Sequence, residues 1–204
     1  MMVTIIDYGM GNILSVKNAF DHLDIPHRVT SDAAVARAST HILLPGVGQF
    51  ESGMRRINDL GLDSALKDAH LNGAKILGIC LGMQLLMEAS EESTTGQCRG
   101  LGFIPGQVVQ LKSTDKTVRY PHMGWNSVCF DSTKLPICAG VDGVDFYFVH
   151  GFEVTCDPAF VGGTTTYGKT IVAAVRHGRV YGMQFHPEKS KQQGLSILYE
   201  FARL

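Results

Sequence analysis

The sequence has 204 residues, of which 45% are apolar and 18% charged, and its formal net charge is −1. This length predicts one domain with a sizeable core, and this composition excludes an intrinsically disordered chain. The near-neutral charge argues against a nucleic-acid-binding surface. The longest apolar run, around 76–87, spans about twelve residues, fewer than the roughly 18 that a membrane helix needs.

Neither a secretory signal nor a disulfide framework is predicted. No basic residue precedes the first apolar stretch, as it would in a signal peptide. The five cysteines are an odd number and include no C-x-x-C pair. We therefore expect reduced thiols in the cytoplasm, no metal site and no cofactor.

Strands and helices are predicted to alternate over the first 90 residues. The predicted strands are 3–6, 27–30, 41–44 and 75–79, and the predicted helices are 13–23, 33–38, 54–71 and 81–89. Glycine-rich turns follow the first strand at 7–12 and the third strand at 45–48. Such alternation is typical of a parallel sheet with helices on both faces, in which ligands bind beyond the carboxyl ends of the strands.

The second half is richer in short strands. They are predicted at 108–111, 127–130, 146–149, 151–155, 164–167, 171–175 and 180–185, with a tight turn at 176–179 and a last helix at 192–202. No internal repeat or low-complexity linker divides the chain. We expect one α/β domain over 1–204, with a mostly parallel central sheet, helices on both faces and antiparallel hairpins in the second half.

The strongest local pattern is G-x-C-x-G at 78–82, between a predicted strand and a predicted helix. In a nucleophile elbow, such a sharp turn presents the central side chain, here Cys80, at the start of the following helix. A free cysteine with a pKa of about 8.5 is only a few per cent thiolate at pH 7, so a helix dipole and an imidazole would favour its reactive form. The alternative is a buried cysteine in a tightly packed turn.

His186 and Glu188 follow the last predicted strand, on either side of a proline. If the fold brings His186 to Cys80, the imidazole can accept the thiol proton and donate it to the leaving group, while Glu188 orients the ring. Alone, this tripeptide also fits an exposed turn with solvated side chains. The elbow and the tripeptide support each other, because each supplies a group that the other requires.

The Pro-Gly-Val-Gly loop at 45–48 supplies candidate oxyanion donors. We expect the N–H groups of Gly46, Val47 and Gly48, together with that of Leu81, to stabilise a tetrahedral intermediate. The alternative is a loop whose glycines only permit an unusual backbone conformation.

These residues resemble the class I, triad-type glutamine amidotransferases, which hydrolyse glutamine through a γ-glutamyl thioester. The resemblance extends over nearly the whole chain, with matching motifs at 7–12, 44–48, 78–84, 121–126 and 184–190. The first and fourth motifs resemble the branch formed by the glutaminase subunits of imidazole glycerol phosphate synthases, in histidine biosynthesis. The resemblance implies a flavodoxin-like fold and ammonia transfer to a (β/α)₈-barrel cyclase subunit, with no nucleic-acid or membrane partner.

The resemblance also implies where glutamine binds. Gln84, Glu92, His150 and Gly151 occupy positions that contact the substrate, and the Glu92 carboxylate suits an α-ammonium group. Gln84 also fits the polar side of an amphipathic helix, and Glu92 fits a solvated acid. Gly151 and Phe152 depart from the family pattern, in which a small hydroxyl residue and tyrosine follow the histidine. If the substrate contacts at this position use main-chain groups, Gly151 can still make them. If they need the side-chain hydroxyl of the family pattern, substrate affinity or the partner contact is altered.

Four residues are expected to face the partner: Asn12, Met123, Trp125 and Lys189. Tryptophan is enriched at the centres of interfaces, although the single Trp125 also fits ordinary core filling and Lys189 a solvated lysine. Hydrolysis by the free chain would waste glutamine. We therefore expect the 45–48 loop to turn an N–H toward the oxyanion only in the complex.

Three other functions fit parts of the sequence. The chain would be an amidotransferase subunit for anthranilate, pyridoxal phosphate or guanylate synthesis, but the 121–126 motif argues against this. It would be a stand-alone cysteine hydrolase if the isolated chain were fully active on γ-glutamyl peptides. It would be a catalytically inactive binding subunit if Cys80 failed to react with a glutamine-like affinity label in the complex, although Cys80, His186 and Glu188 are intact.

Overall fold

The computed structural model describes residues 2–94, 96–113, 115 and 118–204. In the first half, β-branched runs form strands, and segments with apolar residues at helical spacing form helices. The elements are β1 (Val3–Ile6), α1 (Ile13–His22), β2 (His27–Thr30), α2 (Ala33–Arg37), β3 (His41–Gly46), α3 (Phe50–Asp59), α4 (Leu62–Leu71), β4 (Lys75–Cys80) and α5 (Leu81–Leu85).

The second half is mainly strands. They are β5 (Met87–Ser90), β6 (Cys98–Arg99), β7 (Ile104–Gln110), β8 (His122–Ser127), β9 (Cys129–Phe130), β10 (Asp145–His150), β11 (Phe152–Cys156), β12 (Val161–Thr166), β13 (Thr170–His177) and β14 (Val180–Met183), followed by α6 (Lys191–Arg203). Single 3₁₀ turns lie at Pro136–Cys138, Pro158–Phe160 and Pro187–Lys189.

The central sheet has eight strands in the order β2-β1-β3-β4-β14-β13-β12-β9. Its first five strands are mutually parallel, and the remaining pairs are antiparallel. Two small sheets, β11-β7-β5-β6 and β10-β8, lie beside it. The expected α/β class, with a parallel core and antiparallel additions, is confirmed.

The apolar core lies on both faces of the central sheet. One cluster includes Ile57 of α3 and Leu66 of α4, and the other includes Phe20 of α1 and Leu198 of α6. Helices therefore cover both faces, as the sequence predicts, and the loops at the carboxyl ends of the parallel strands remain available for a site. Within the described ranges, no helix is long and apolar enough to cross a membrane.

The predicted helix over 54–71 is wrong, because the chain forms two helices there. Gly61 adopts a left-handed φ of 63° between α3 and α4. Glycine in this conformation is the usual residue just beyond a helix C-terminus, since it has no Cβ to clash. The hydrophobic pattern continues across this break because α3 and α4 contribute to the same core cluster.

The predicted helix over 81–89 is also wrong, because α5 ends at Leu85 and β5 begins at Met87. The carbonyls of Leu85 and Leu86 accept hydrogen bonds from the N–H groups of Leu101 and Phe103, each at 2.9 Å. These long-range bonds satisfy the carbonyls at the end of α5 and leave Met87–Ser90 extended, in a sheet with β6 and β7.

Three strand predictions also need correction. The strand predicted at 108–111 is β7, which begins at Ile104. β3 does not stop before Pro45, because Pro45 and Gly46 pair with Ile79 and Cys80 of β4. Proline is tolerated there because β1 pairs with β3 only up to Leu43. The predicted strand 127–130 instead divides between β8 and β9, and β8 begins five residues earlier at His122.

Candidate active site

Cys80 lies where β4 ends and α5 begins, with a φ of 54° and a ψ of −111°. A positive φ is strained for a non-glycine residue, and the flanking glycines permit the sharp turn. A Cβ at Gly82 would lie 1.8 Å from the Leu44 carbonyl oxygen, and one at Gly78 would lie 2.6 Å from the Gly82 carbonyl. The backbone therefore has the form of a nucleophile elbow, with Cys80 at its apex.

His186 and Glu188 come from the segment after β14, the strand that pairs with β4. The imidazole Nδ1 lies 2.8 Å from Glu188 Oε1, and both side chains are buried. The His186 backbone is fixed as well, since its N–H donates to the Tyr147 carbonyl and its own carbonyl accepts from the Ser190 hydroxyl. The carboxylate therefore fixes the ring with Nδ1 as a donor.

The structure brings Cys80, His186 and Glu188 together. Burial lowers the pKa of His186, but hydrogen bonding and charge interaction with Cys80 and Glu188 raise it to about 9. His186 Nε2 has no partner of regular hydrogen-bond geometry among the described residues. The Cys80 sulfur therefore affects the pKa of the ring without forming a regular hydrogen bond to Nε2. Long or poorly aligned contacts of this kind are common between catalytic groups before substrate binds.

A cavity of about 190 Å³ opens at Cys80. Its lining includes six of the eight residues expected to bind glutamine or the oxyanion: Val47, Gly48, Gln84, Glu92, His150 and Gly151. Cys80, Val149 and Phe152 also line it, whereas Gly46 and Leu81 are not among its lining residues. The cavity lies at the carboxyl ends of β3 and β4, where a ligand is expected in a parallel sheet.

Glu92 reaches this cavity from the loop after β5. Its Oε2 accepts a hydrogen bond from the Phe50 N–H at 2.9 Å, at the N-terminus of α3. Burial raises the pKa of Glu92, and the Phe50 hydrogen bond partly opposes that rise. The carboxylate is therefore desolvated, which strengthens its attraction for an ammonium group.

His150 also lines the cavity, but both of its ring nitrogens already have partners. Nδ1 lies 2.8 Å from the Phe152 carbonyl oxygen, and Nε2 lies 2.9 Å from His122 Nδ1. Burial lowers the pKa of His150 to about 4. The neutral ring therefore holds β8, β10 and β11 together, and it offers no free ring nitrogen to a substrate.

The 45–48 loop does not present all of the expected oxyanion donors to the cavity. The Val47 N–H donates to the Met10 carbonyl at 2.7 Å. Gly48 has a φ of 111°, and a Cβ there would lie 2.9 Å from Met10 Cε. The glycine-rich segment 7–12 therefore holds Val47 in a conformation in which its N–H is already used. Gly46 lies within β3, and Leu81 begins α5 directly after Cys80.

Two of the expected partner residues, Trp125 and Lys189, lie near Tyr147. Met123 and Trp125 of β8 are 61% and 43% exposed, and the Trp125 and Tyr147 rings are 5.9 Å apart. The Lys189 ammonium lies 5.9 Å from the Tyr147 ring. Asn12 instead accepts the Ser15 N–H at the start of α1.

Two buried residues near Cys80 were not predicted as site residues. The Tyr8 hydroxyl lies 2.2 Å from where a Gly46 Cβ would be, and burial and the Cys80 charge raise the pKa of Tyr8 well above its usual range. Gln184 contacts the sulfur itself, with its Nε2 3.8 Å from Sγ. Both belong to motifs that the resemblance uses, and this is the signal that could have identified them.

Known proteins resemble this chain over nearly its entire length. The family model "Glutamine amidotransferase class-I" matches residues 4–203. "Imidazole glycerol phosphate synthase subunit HisH" of Moorella thermoacetica is 42% identical over 203 residues, covering 99% of this chain and 94% of that protein. "Imidazole glycerol phosphate synthase subunit HisH 1" of Campylobacter jejuni is 42% identical over 205 residues, covering 100% of both chains.

Solved structures resemble the fold at low sequence identity. A crystal structure described as "glutamine amidotransferase" superposes with a TM-score of 0.74 at 16% identity, covering 99% of both chains. "PurLQS from Thermotoga maritima" superposes with a TM-score of 0.70 at 16% identity, covering 99% of this chain and 97% of that one. Because the family model spans nearly the entire sequence, this chain belongs to the class-I glutamine amidotransferase family.

Proposed function

We propose that this chain is the glutaminase subunit of an imidazole glycerol phosphate synthase, acting in the cytoplasm as one amidotransferase domain over 1–204. The observation that carries the proposal is the position of Cys80, on an elbow at the cavity and interacting with the His186–Glu188 pair. The relatives that are 42% identical over their nearly full length carry the name of this synthase subunit.

In the proposed reaction, glutamine places its carboxamide at Cys80 and its α-ammonium group near Glu92. The thiolate attacks the carboxamide carbon, and the oxyanion is stabilised by backbone N–H groups. His186 donates its proton to the departing ammonia, which leaves a γ-glutamyl thioester on Cys80. Water activated by His186 then hydrolyses the thioester to glutamate and regenerates the thiol.

Glu188 keeps His186 able to perform both proton transfers. With a pKa raised to about 9, the imidazole is protonated at neutral pH and can stabilise negative charge that forms on the sulfur. It can therefore donate to the leaving group without first taking a proton from solvent. The carboxylate also stabilises the imidazolium at each stage, as the third member of a triad does.

The proposed partner is a (β/α)₈-barrel cyclase subunit, which forms a heterodimer with this chain. The exposed side chains of Met123 and Trp125 support an interface on β8, because large apolar groups are seldom left exposed together without a binding role. Ammonia would pass to the cyclase without entering bulk water. There it would react with a phosphoribulosyl-formimino-aminoimidazole carboxamide ribonucleotide.

The contact between Val47 and Met10 supports regulation by this partner. A donor already bonded at 2.7 Å cannot also stabilise the oxyanion, and losing one such donor lowers the rate by about 10²–10³-fold. Binding of the cyclase subunit is expected to release the Val47 N–H toward the cavity. Low hydrolysis by the free chain and fast hydrolysis in the complex would follow.

The direct test is to measure glutamine hydrolysis by the isolated chain, then with a purified cyclase subunit, then with its nucleotide ligand as well. We expect hydrolysis to rise at each addition, by about 10²-fold or more in total. Replacement of the exposed Cys129 by alanine should leave these rates unchanged. Full activity of the isolated chain would contradict the proposal, as would activation by a different synthase alone.

A further inference from the structure

Gln184 is a fully buried residue with no part in the mechanism above. It follows β14 and precedes His186 by two residues. Its Nε2 lies 3.8 Å from Cys80 Sγ, and its Oε1 lies 3.1 Å from Gln84 Nε2. One side chain thus contacts both the reacting sulfur and a residue that lines the cavity.

The direction of these hydrogen bonds follows from a single backbone carbonyl. The Phe152 oxygen can only accept, and it lies 3.2 Å from the side-chain amide of Gln84, so Gln84 must direct its NH₂ group toward it. The same NH₂ group faces Gln184, which must then present its oxygen. The Gln184 nitrogen is left facing the sulfur as a donor.

The Phe152 carbonyl is itself held in place. It accepts a second hydrogen bond from His150 Nδ1 at 2.8 Å, so both of its lone pairs are used. Because a carbonyl oxygen can only accept, His150 Nδ1 must carry a proton here. The donor at Gln184 is thus fixed through Phe152 and Gln84.

We propose that Gln184 is a further catalytic residue, whose amide N–H stabilises the Cys80 thiolate and whose oxygen holds the Gln84 amide in its cavity-lining position. This inference rests on the proposed glutaminase function. An N–H donor stabilises a thiolate more than a neutral thiol, because hydrogen bonds to ionised groups are stronger. Burial of both side chains strengthens the interaction further.

A neutral amide meets both demands of this position. It offers a donor to the sulfur and an acceptor to Gln84, and it adds no charge beside the thiolate. Methionine would remove the donor at every pH, and it would leave the Gln84 NH₂ with one acceptor fewer. Glutamate would keep a donor only while its carboxyl is neutral, and its carboxylate would repel the sulfur. These two failures predict opposite pH dependence for Gln184→Met and Gln184→Glu.

The experiment measures alkylation of Cys80 by iodoacetamide in the full chain from pH 6 to pH 10, with mass spectrometry to identify the modified cysteine. Thr165→Val serves as the matched control. It removes a hydrogen bond from a buried side chain to the Ser127 carbonyl, and Thr165 lies on β12, three strands away from β4. Thermal melts establish that each variant is folded at the assay temperature.

For Gln184→Met we expect alkylation at pH 7 to be about tenfold slower than in the wild type. A hydrogen bond to a charged group favours the ionised form over the neutral form by a factor of about ten or more. The deficit should close toward pH 10, where the thiol ionises without help. For Gln184→Glu we expect the reverse. At the acidic end of the pH range, the neutral carboxyl of the glutamate can donate to the sulfur. As that carboxyl ionises at higher pH, the alkylation rate falls further below that of the wild type. Thr165→Val should follow the wild type throughout.

Equal alkylation of folded Gln184→Met and wild type at every pH would overturn the inference. If the methionine variant does not fold, Gln184→Glu decides, because it retains the shape and both polar atoms; a pH profile equal to the wild type would then overturn it. In the complex, kcat/KM for glutamine should fall about tenfold for Gln184→Met. A lack of glutaminase activity in the wild-type complex would refute the proposed function. The alkylation profiles test the role of Gln184 separately.

Discussion

At the residue scale, the Glu188 carboxylate controls the charge of His186. Replacing Glu188 with glutamine keeps the shape but removes the carboxylate that, together with Cys80, raises the pKa of His186. We expect kcat for glutamine hydrolysis in the complex to fall by about 10²–10⁴-fold, as for other triads that lose their acid. Glu91→Gln, at an exposed acid in the loop after β5, is the control and should retain full activity. A fall of less than tenfold for Glu188→Gln would contradict the proposed role.

Buried histidines predict a loss of stability in acid. Burial, with a further contribution from the Lys75 charge, lowers the pKa of His41 to about 4, while the unfolded chain titrates near 6.5. The unfolded state therefore binds more protons between these values, so the free energy of unfolding decreases as pH falls from 6.5 to 4. Urea titrations should show that the free energy of unfolding decreases less between pH 7 and pH 5 in His41→Gln than in the wild type. His22→Asn, at an exposed histidine, should match the wild type.

At the element scale, the elbow depends on the contact between α5 and β3. A Cβ at Gly82 would lie 1.8 Å from the Leu44 carbonyl oxygen, and this backbone atom cannot move without shifting β3. We expect Gly82→Ala to lower the free energy of unfolding by about 1–3 kcal/mol or more, as overpacked cores do.

Gly151→Ala is the matched control for this stability measurement. Among the residues that the structure describes, Pro121 is the one whose atoms approach a Cβ at Gly151, with its own Cβ at 4.0 Å. Denaturant titration should therefore show little change in the free energy of unfolding for Gly151→Ala and a clear decrease for Gly82→Ala. Equal stabilities of the two variants would mean that the close approach of α5 to β3 does not constrain this turn.

At the scale of the whole molecule, alternation of strands and helices was enough to predict the α/β class, because a buried parallel strand has an apolar pattern that is visible locally. Element ends were less predictable. The end of α5 depends on hydrogen bonds from Leu101 and Phe103, which lie far along the chain. β8 was only partly predicted, because its glycine and polar residues interrupt the alternation that marks a half-buried strand.

The candidate site was more predictable than the element ends, because the elbow and the His-Pro-Glu tripeptide each imply a chemical role. Local patterns could not show that Val47 donates to Met10 or that His150 uses both ring nitrogens, since these contacts join distant segments. Gln184 was missed for the same reason. A side-chain amide does not by itself indicate a catalytic role, because its neighbours determine whether its nitrogen or its oxygen faces the reacting atom.

The most direct measurement compares glutamine-dependent and ammonia-dependent synthesis by the complex when Cys80 is replaced by alanine. The account predicts loss of glutamine-dependent synthesis, with ammonia-dependent synthesis retained at the wild-type rate, because only the first requires a thioester at Cys80. Retained glutamine-dependent turnover would contradict the account. Equal loss of both activities in a properly assembled complex would also contradict it, since ammonia would then not be what this subunit supplies.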